Sequence, residues 1–212
     1  MHIPLNFNLK DRSVLLIGGG NVALEKLNFL AQAGSRLTIV AQYISAEFKN
    51  FLANNSFVRY ELFEREFTND DLMDQTFVFI AIDDSALAQS IAQMARSKGS
   101  FVNVADQPTL CDFYTTALIN RGDFQIALAS NGKYAGLSAA LRKHFEWCFP
   151  QDMDGDWEKL FELRSALIRS NIDPQMRRKK LKSIIREIEK ELLGEQSEIH
   201  LVLPVENTVG VP

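Results

Sequence analysis

The chain has 212 residues, of which 46% are hydrophobic and 24% charged, and its formal net charge is −4. This composition is typical of a globular protein with one domain or two small ones, and it excludes wholesale disorder and a collagen-like chain. No apolar run approaches the ~18 residues of a transmembrane helix, and the N-terminus lacks the pattern of a signal peptide. We therefore expect a cytoplasmic protein with no membrane partner. The net acidic charge argues against nucleic acid as the main partner.

Cysteine and histidine are scarce. Two cysteines, Cys111 and Cys148, are too few for a disulfide framework, and their apolar and aromatic neighbours predict small buried thiols. The three histidines are scattered and no CxxC pair occurs, so we expect no preformed His/Cys metal site.

The first half of the chain alternates between two hydrophobic periods. Short apolar runs predict strands at 13–17, 36–40, 58–62, 77–82 and 101–104. Helical spacing predicts helices at 22–33, 45–53 and 85–98. This alternation predicts an α/β fold, a Rossmann-like doubly wound parallel sheet.

The alternation stops after Pro108. The runs at 113–119 and 124–129 predict a hairpin, because the turn residues 120–123 separate them. A helix is expected at 136–149. Two charged helices are expected at 156–170 and 174–193, with Asp173 as the cap of the second and Pro174 at its first position. The residues from 195 onward have no helical period and are interpreted as a tail.

Charge density marks a boundary near Pro150. Of the first 150 residues 28 are charged, whereas 22 of the last 62 are. The change predicts a separate, charged helical part at the C-terminal end of the sequence.

A glycine-rich turn joins the first strand to the first helix. Gly18-Gly19-Gly20-Asn21-Val22-Ala23 fits the dinucleotide-binding pattern G-x-G-x-x-A. Gly18 would make the tight turn, Gly20 would let a pyrophosphate approach the backbone, and Ala23 would let helix and strand pack closely. The anion would then meet the free N–H groups of the helix N-terminus. The alternative is a turn that serves packing alone.

The second strand lacks the acidic residue that usually binds the ribose about 20 positions after the glycines. Gln42 and Tyr43 stand there, and no arginine is present for a 2′-phosphate. The sequence therefore favours NAD over NADP as the cofactor.

Several further segments form an ordered set. They are residues 4–9 (PLNFNL), 79–84 (FIAIDD), 102–113 (VNVADQPTLCDF), 127–133 (ALASNGK) and Leu141-Arg142. Over residues 1–150 this set resembles the precorrin-2 dehydrogenase and sirohydrochlorin ferrochelatase family, which includes the N-terminal half of siroheme synthases.

The resemblance implies an architecture and an activity. It implies a Rossmann domain at 1–113, a dimerisation region at 114–150 and a helical C-terminal domain with its tail at 151–212, assembled as a homodimer. The implied reaction is the NAD-dependent oxidation of precorrin-2 to sirohydrochlorin in siroheme biosynthesis. Some members of the family also insert ferrous iron into sirohydrochlorin, and the sequence leaves this second activity open.

The resemblance also implies roles for individual residues. Asp106 corresponds to the catalytic aspartate. Nucleotide contacts correspond to Asn21, Val22, Gln42 and Tyr43, and Asp83, at the end of the fourth strand, joins this set. Ser130 corresponds to a serine that is phosphorylated in some members, and with Lys133 and Arg142 it forms the expected substrate-binding set. The sequence departs from the family at Asn131, where a glycine is usual, and at Tyr134-Ala135, where a Ser-Pro pair is usual.

Simpler roles stay open for most of these side chains. Asp106 can cap the turn before Pro108, Asp84 or Ser85 can cap the third helix, and Asp112 can be structural rather than a catalytic partner of Asp106. A polycarboxylate substrate would need a locally basic cleft. The candidates for that cleft, which can equally be solvated helix charges, are Arg121, Lys133, Arg142, Lys143 and His144. The basic run at 177–182 is interpreted as a solvated helix face.

Two rival functions remain at this point. One is a regulatory Rossmann domain that senses NAD, although such domains usually carry the missing acidic residue. The other is a family member without catalysis that only binds a tetrapyrrole, which the altered segment 131–135 keeps open.

Overall fold

The computed structural model describes residues 3–56, 58–121, 124–148, 154–170 and 172–193. Five parallel strands form one sheet in the order β3-β2-β1-β4-β5. The strands are β1 (Ser13–Ile17), β2 (Arg36–Ala41), β3 (Tyr60–Glu64), β4 (Phe77–Ile80) and β5 (Phe101–Val104). The expected α/β fold with a Rossmann-like sheet is confirmed.

Three helices connect these strands: α1 (Asn21–Leu30), α2 (Ala46–Asn54) and α3 (Ser85–Ser97). Each begins where the sequence supplies a cap or a glycine turn. Ser45 caps α2 by accepting the N–H of Phe48 at 3.1 Å, and Asp84 caps α3 by accepting that of Leu87 at 2.9 Å. These bonds satisfy donors that a helix start leaves free. Of the two capping alternatives for α3, the structure therefore selects Asp84.

The sheet is buried on both faces, which explains why its strands are continuous apolar runs. In β1, Val14 and Leu16 pack in the core shared with α1 and α2, whereas Leu15 and Ile17 pack in the core shared with α3. Both cores contain fully buried side chains. The strand order reverses at β1, because its neighbours are β2 on one side and β4 on the other. In such sheets the crevice for a ligand lies at this point, outside the carboxyl ends of the strands.

Several strand boundaries differ from the predicted ones, most clearly in β3 and β4 of the parallel sheet. The third strand starts at Tyr60 rather than at Val58, because the N–H of Val58 is used in the turn after α2, where it donates to Asn55 at 3.0 Å. The fourth strand stops at Ile80 rather than continuing to Ile82.

The later elements are a two-stranded sheet and three helices. The strands are β6 (Ala117–Arg121) and β7 (Phe124–Leu128), and the helices are α4 (Ala135–Cys148), α5 (Asp154–Arg169) and α6 (Pro174–Leu193). The hairpin is confirmed, but β6 begins four residues later than predicted. Asp173 caps α6 as expected, accepting the N–H groups of Gln175 and Met176 at 2.9 and 3.1 Å.

The chain divides into two compact units. One comprises Met1–Ile119 with Gln125–Phe149, and the other comprises Asn120–Phe124 with Pro150–Pro212. The domain limits 1–113, 114–150 and 151–212 stay a prediction. Pro150, His200 and the expected tail lie outside the described residues. No helix among the described residues is long and apolar enough to cross a membrane.

The expectation of two buried thiols is wrong for one of them. Cys111 is half-buried, whereas Cys148 is exposed. Cys148 lies on α4 one turn after His144, whose Nε2 is 3.9 Å from its sulfur. The last turn of α4 presents these side chains to solvent, and Trp147 beside them is 80% exposed.

Candidate active site

The glycine turn lies in the crevice between β1 and β4. Gly18 has a positive φ of 124°, which side-chain-bearing residues rarely adopt. A Cβ added to it would lie 2.1 Å from the carbonyl oxygen of Ala81, at the end of β4. The backbone of β1 therefore passes that of β4 closely enough that position 18 requires glycine.

Gly19 joins the turn to the segment after β2. An added Cβ there would lie 2.2 Å from the carbonyl oxygen of Tyr43, and the carbonyl of Gly19 accepts the N–H of Ser45 at 2.9 Å. This contact brings Gln42 and Tyr43 alongside the glycine turn, as expected for nucleotide-contacting residues. Both are exposed, Tyr43 by 71%.

Gly20 differs from the other two, because a Cβ added to it would meet no atom within 4 Å. It is the N-cap residue of α1, and Asn21 and Val22 follow it at the exposed start of the helix. Ala23 is fully buried against the core. Open space in front of free helix N–H groups is the arrangement that holds a pyrophosphate. The residues present therefore fit a dinucleotide.

Asp83 lies beside this turn, after the end of β4. The N–H of Ala81 donates to Ile17 at 2.8 Å, which keeps the chain in the sheet until just before Asp83. Its side chain is exposed at the carboxyl edge. The expected cofactor set thus lies at and just after the ends of β1, β2 and β4, with Ala23 as its buried member on the first turn of α1. The set is Gly18, Gly20, Asn21, Val22, Ala23, Gln42, Tyr43 and Asp83.

Asp106 follows the neighbouring strand β5. The N–H of Ala105 donates to Ile80 at 2.9 Å, so Asp106 leaves the sheet at the same edge as the glycine turn. Two strand spacings, about 10 Å, separate β5 from β1. Asp106 has φ +56°, a left-handed conformation that is uncommon for residues other than glycine. Its side chain is exposed, and its carboxylate accepts no hydrogen bond from any described residue.

The loop after Asp106 is held by side-chain to backbone bonds. The carboxylate of Asp112 accepts hydrogen bonds from Nε of Arg96 at 2.8 Å and from the backbone N–H of Val102 at 2.9 Å. The thiol of Cys111 bonds the backbone of Val104 at 3.2 Å, and burial raises the pKa of this thiol. Nδ2 of Asn103 donates to the carbonyl of Phe113 at 2.9 Å. Asp112 is therefore an anchor of this loop, which was the structural alternative for it.

A second turn packs against the same loop. The hydroxyl of Tyr114 donates to the carbonyl of Pro108 at 3.0 Å, and a Cβ added to Gly132 would lie 2.7 Å from the ring of Tyr114. Ser130 closes this turn by accepting the N–H of Tyr134 at 3.1 Å. Asn131 has φ +53°, and asparagine tolerates this conformation better than most residues. The departure from glycine at position 131 therefore preserves the turn.

The side chains expected to form a basic cleft differ in their exposure and in their bonding partners. Lys133 is exposed in this turn; its backbone N–H donates to the carbonyl of Ser130 at 3.1 Å, and its side chain makes no hydrogen bond or ion pair with the described residues. Arg142 forms an ion pair with Glu146 on its own helix, so a substrate carboxylate would have to compete with Glu146. Arg121 donates to the carbonyl of Asn120 at 2.8 Å, and Lys143 and His144 are exposed on α4. Lys133 lies in the turn that packs on Tyr114, and the hydroxyl of Tyr114 bonds the loop after Asp106.

Sequence reasoning missed Lys26. This side chain is half-buried on α1, and its Nζ donates to Oγ1 of Thr115 at 3.2 Å. The helical spacing of the sequence already indicated a half-buried position for this lysine. Lys26 lies three residues after Ala23 and next to Leu27, both of which are buried on the side of the helix that faces the sheet. The anchoring roles of Arg96 and Tyr114 had no comparable signal. No group of three or more metal-ligating side chains occurs among the described residues.

Comparison with known proteins gives one family and several relatives. The family described as "Putative NAD(P)-binding" matches residues 5–117. The siroheme synthase of Psychrobacter cryohalolentis is 36% identical over 148 residues, which are 70% of this chain and 28% of that protein. Siroheme synthase 2 of Aeromonas salmonicida is 35% identical over 154 residues, which are 73% of this chain and 31% of that protein.

A third relative, the siroheme synthase of Stutzerimonas stutzeri, is 34% identical over 149 residues, 70% of this chain and 31% of that one. This chain thus spans about three tenths of the length of these relatives. Among solved structures, that of "SirC, precorrin-2 dehydrogenase" has the same fold, with a TM-score of 0.68, 22% identity, and coverage of 90% of this chain and 98% of that one.

The glycine turn, its open cradle and the parallel sheet agree with the family match, which covers more than half of the chain. The protein is thus a homologue of siroheme synthases over 70% of its length and belongs to the "Putative NAD(P)-binding" family.

Proposed function

We propose that the protein is a precorrin-2 dehydrogenase, which uses NAD to oxidise precorrin-2 to sirohydrochlorin. The observation that carries this proposal is the exposed carboxylate of Asp106. It accepts no hydrogen bond from any residue that the structure describes, and Asp106 leaves the sheet at the same edge as the glycine turn, two strands away. The identity with siroheme synthases and the fold shared with a precorrin-2 dehydrogenase support it.

The reaction needs two acceptors. Oxidation removes a hydride and a proton from the reduced tetrapyrrole, and NAD⁺, when bound, accepts the hydride. The carboxylate of Asp106 is the proposed acceptor of the proton. Its exposed position lets a substrate reach it. The products are sirohydrochlorin, NADH and the proton that Asp106 later releases to solvent.

NAD rather than NADP is the proposed cofactor. Gln42 and Tyr43 lie beside the glycine turn, at the position where a 2′-phosphate would be bound. Neither is cationic, and a 2′-phosphate usually needs an arginine there.

The proposed substrate-binding set is Ser130, Lys133 and Arg142. The turn containing Ser130 and Lys133 packs on Tyr114, whose hydroxyl bonds the loop that Asp106 begins. The ammonium of Lys133, which pairs with no side chain in the described ranges, suits a substrate carboxylate. Arg142 has weaker support because Glu146 already binds it.

Insertion of ferrous iron into sirohydrochlorin is a second proposed activity at the same site. Chelation requires the loss of pyrrole N–H protons, and the carboxylate of Asp106 is free to accept them within the described part of the chain. Iron would then be a substrate, with the tetrapyrrole nitrogens as its lasting ligands. Adding ferrous ion to sirohydrochlorin with the protein, and following siroheme formation, tests this activity.

A homodimer and a cytoplasmic location complete the proposal. The mass of the protein in solution tests the first, and cell fractionation tests the second. For the main proposal, the protein is mixed with precorrin-2 and NAD⁺ and the appearance of NADH is followed. A folded, NAD-binding protein that forms no NADH would instead support the regulatory domain or the non-catalytic tetrapyrrole binder.

A further inference from the structure

The outer edge of the parallel sheet is covered by the segment that returns after Asp106. β5 is the last strand in the order of this sheet, so the N–H groups on its outer side need acceptors from elsewhere. The N–H of Val102 donates to the carboxylate of Asp112 at 2.9 Å, and that of Val104 donates to Sγ of Cys111 at 3.2 Å. Cys111 therefore supplies the acceptor at the last residue of β5.

The chain turns immediately after this residue. The N–H of Gln107 donates to the carbonyl of Val104, which closes a β-turn with Ala105 and Asp106 at its centre. The closing bond measures 3.4 Å, longer than an ordinary N–H···O bond. Asp106 has φ +56° at the third position of the turn, a conformation that costs energy in residues other than glycine. Such a backbone persists only when its surroundings hold it.

The thiol of Cys111 bonds across this turn. Its sulfur lies 3.2 Å from the carbonyl oxygen of Val104 and 3.5 Å from that of Gln107, so its single proton can be donated at either end of the turn. Burial raises the pKa of this thiol, which therefore keeps its proton at neutral pH and remains a donor.

Two further side chains that anchor this loop act outside the turn. Asp112 bonds Val102, and Asn103 donates to the carbonyl of Phe113. Cys111 differs from them because it bonds residues 104 and 107, which lie on the two sides of Asp106.

We propose that Cys111 is a positioning residue for Asp106: its neutral thiol ties together the two ends of the turn 104–107 and so maintains the left-handed backbone of the proton acceptor. This inference rests on the proposed dehydrogenase, since that reaction gives Asp106 its task. Cys111 acts on the reaction through the backbone on either side of Asp106, whereas the glycine turn that would hold NAD does not depend on it.

The position of Asp106 is measurable by NMR without turnover. Two substitutions separate hydrogen bonding from packing, because Cys111→Ser keeps a donor and an acceptor whereas Cys111→Val keeps apolar volume. In Cys111→Val the amide of Val104 should exchange with solvent about tenfold faster or more, since it loses its acceptor. The Cα and Cβ chemical shifts of Asp106 should also move away from left-handed values. Cys111→Ser should retain more of both wild-type properties.

The other cysteine provides a matched control. Cys148 is exposed on α4, and Cys148→Ser should leave the amide exchange of Val104 and the shifts of Asp106 unchanged. Exchange rates and shifts in Cys111→Val that equal those of the wild type would overturn the proposal, even for a chain that never oxidises precorrin-2.

Turnover gives the second test. Cys111→Val should lower kcat by about tenfold or more, because small displacements of a catalytic group have effects of that size, and KM for NAD⁺ should not change. Cys111→Ser should recover part of the loss, and Cys148→Ser should keep full activity. Adding Cys111→Val to Asp106→Asn should cause no further loss. If Cys111→Val does not fold, Cys111→Ala takes its place in both tests.

A packing role for Cys111 would reverse the order of the two substitutions. Cys111→Val would then keep the wild-type kcat, and Cys111→Ser would lose it. That order, or a loss in Cys111→Val that adds fully to the loss in Asp106→Asn, would contradict the proposal. Turnover by the wild type in the same assay would show that the dehydrogenase itself stands in those cases.

Discussion

The two halves of the site are built in different ways. The cofactor half, at the ends of β1 and β2, is formed by close contacts between backbone segments. Gly18 lies against the carbonyl of Ala81, and Gly19 lies against that of Tyr43. The catalytic half, after β5, is held by side chains that bond backbone groups, with Asp112, Cys111 and Asn103 as the anchors. The first half therefore tolerates no added atom at Gly18 and Gly19, whereas the second can lose one anchor and keep the others.

This contrast implies that mutations should separate the two tasks. A change in the cofactor half should affect folding or NAD binding first. A change in the catalytic half should affect turnover while NAD still binds.

Asp106→Ala should have the largest effect. Loss of the proposed proton acceptor should lower kcat by about 10²- to 10⁴-fold, because general base catalysis contributes on that scale. The affinity for NAD⁺, measured by calorimetry, should not change, since the glycine turn is untouched. Full activity in this variant would show that Asp106 is not the proton acceptor. It would also contradict the proposed separation of cofactor binding from catalysis.

Gly18→Ala should come next, acting on stability. Its Cβ would lie 2.1 Å from the Ala81 carbonyl at a φ of 124°, so the variant should lose at least about 3 kcal/mol of unfolding free energy, measured by urea denaturation. Gly20→Ala is the matched control, because its Cβ meets nothing within 4 Å. It should fold normally yet bind NAD⁺ more weakly. If both variants fold and bind alike, the open cradle is not the pyrophosphate site.

Asp112→Ala should have an intermediate effect. It leaves the N–H of Val102 without its acceptor and releases Arg96, which should cost about 1–3 kcal/mol of stability. Turnover should also fall, because Asp106 begins the loop that Asp112 anchors. Asp70→Ala, in the exposed turn before β4, serves as the comparison. Equal stability of the two variants by urea denaturation would show that the loop does not depend on this carboxylate.

The smallest effect is expected for Ser45→Ala. It removes the cap of α2 and should lower the unfolding free energy by about 1 kcal/mol. The N–H of residue 45 still donates to Gly19, so NAD affinity should stay near the wild-type value. Ser97→Ala, at the last residue of α3, should change neither quantity. A large loss of NAD affinity in Ser45→Ala would mean that the cofactor half also depends on side chains.

The sequence predicts the cofactor half well because its determinants are local. A strand, three glycines and a helix are consecutive, and each has a recognisable pattern, so β1, α1 and the roles of Gly18 and Ala23 could be predicted. The start of β6 could not, since Phe113 looks like strand sequence but is packed into the loop by Asn103 and Phe79.

The catalytic half depends on contacts between distant residues. Lys26 and Thr115 meet across 89 positions and Arg96 and Asp112 across 16, and no local pattern identifies either pair. Asp106 could be singled out through the family resemblance, but its left-handed backbone could not be predicted. The strands and helices therefore follow from periodicity, whereas the geometry around the proposed proton acceptor follows only from the folded chain.

The most direct test of the account is the stoichiometry of the reaction. Precorrin-2 and NAD⁺ are incubated with the wild-type protein, and NADH and sirohydrochlorin are quantified in the same samples. The account predicts that both appear in equal amounts, at a rate that rises in proportion to the protein concentration. Two results would contradict it: a folded, NAD-binding protein that forms neither product, or one that forms sirohydrochlorin without NADH.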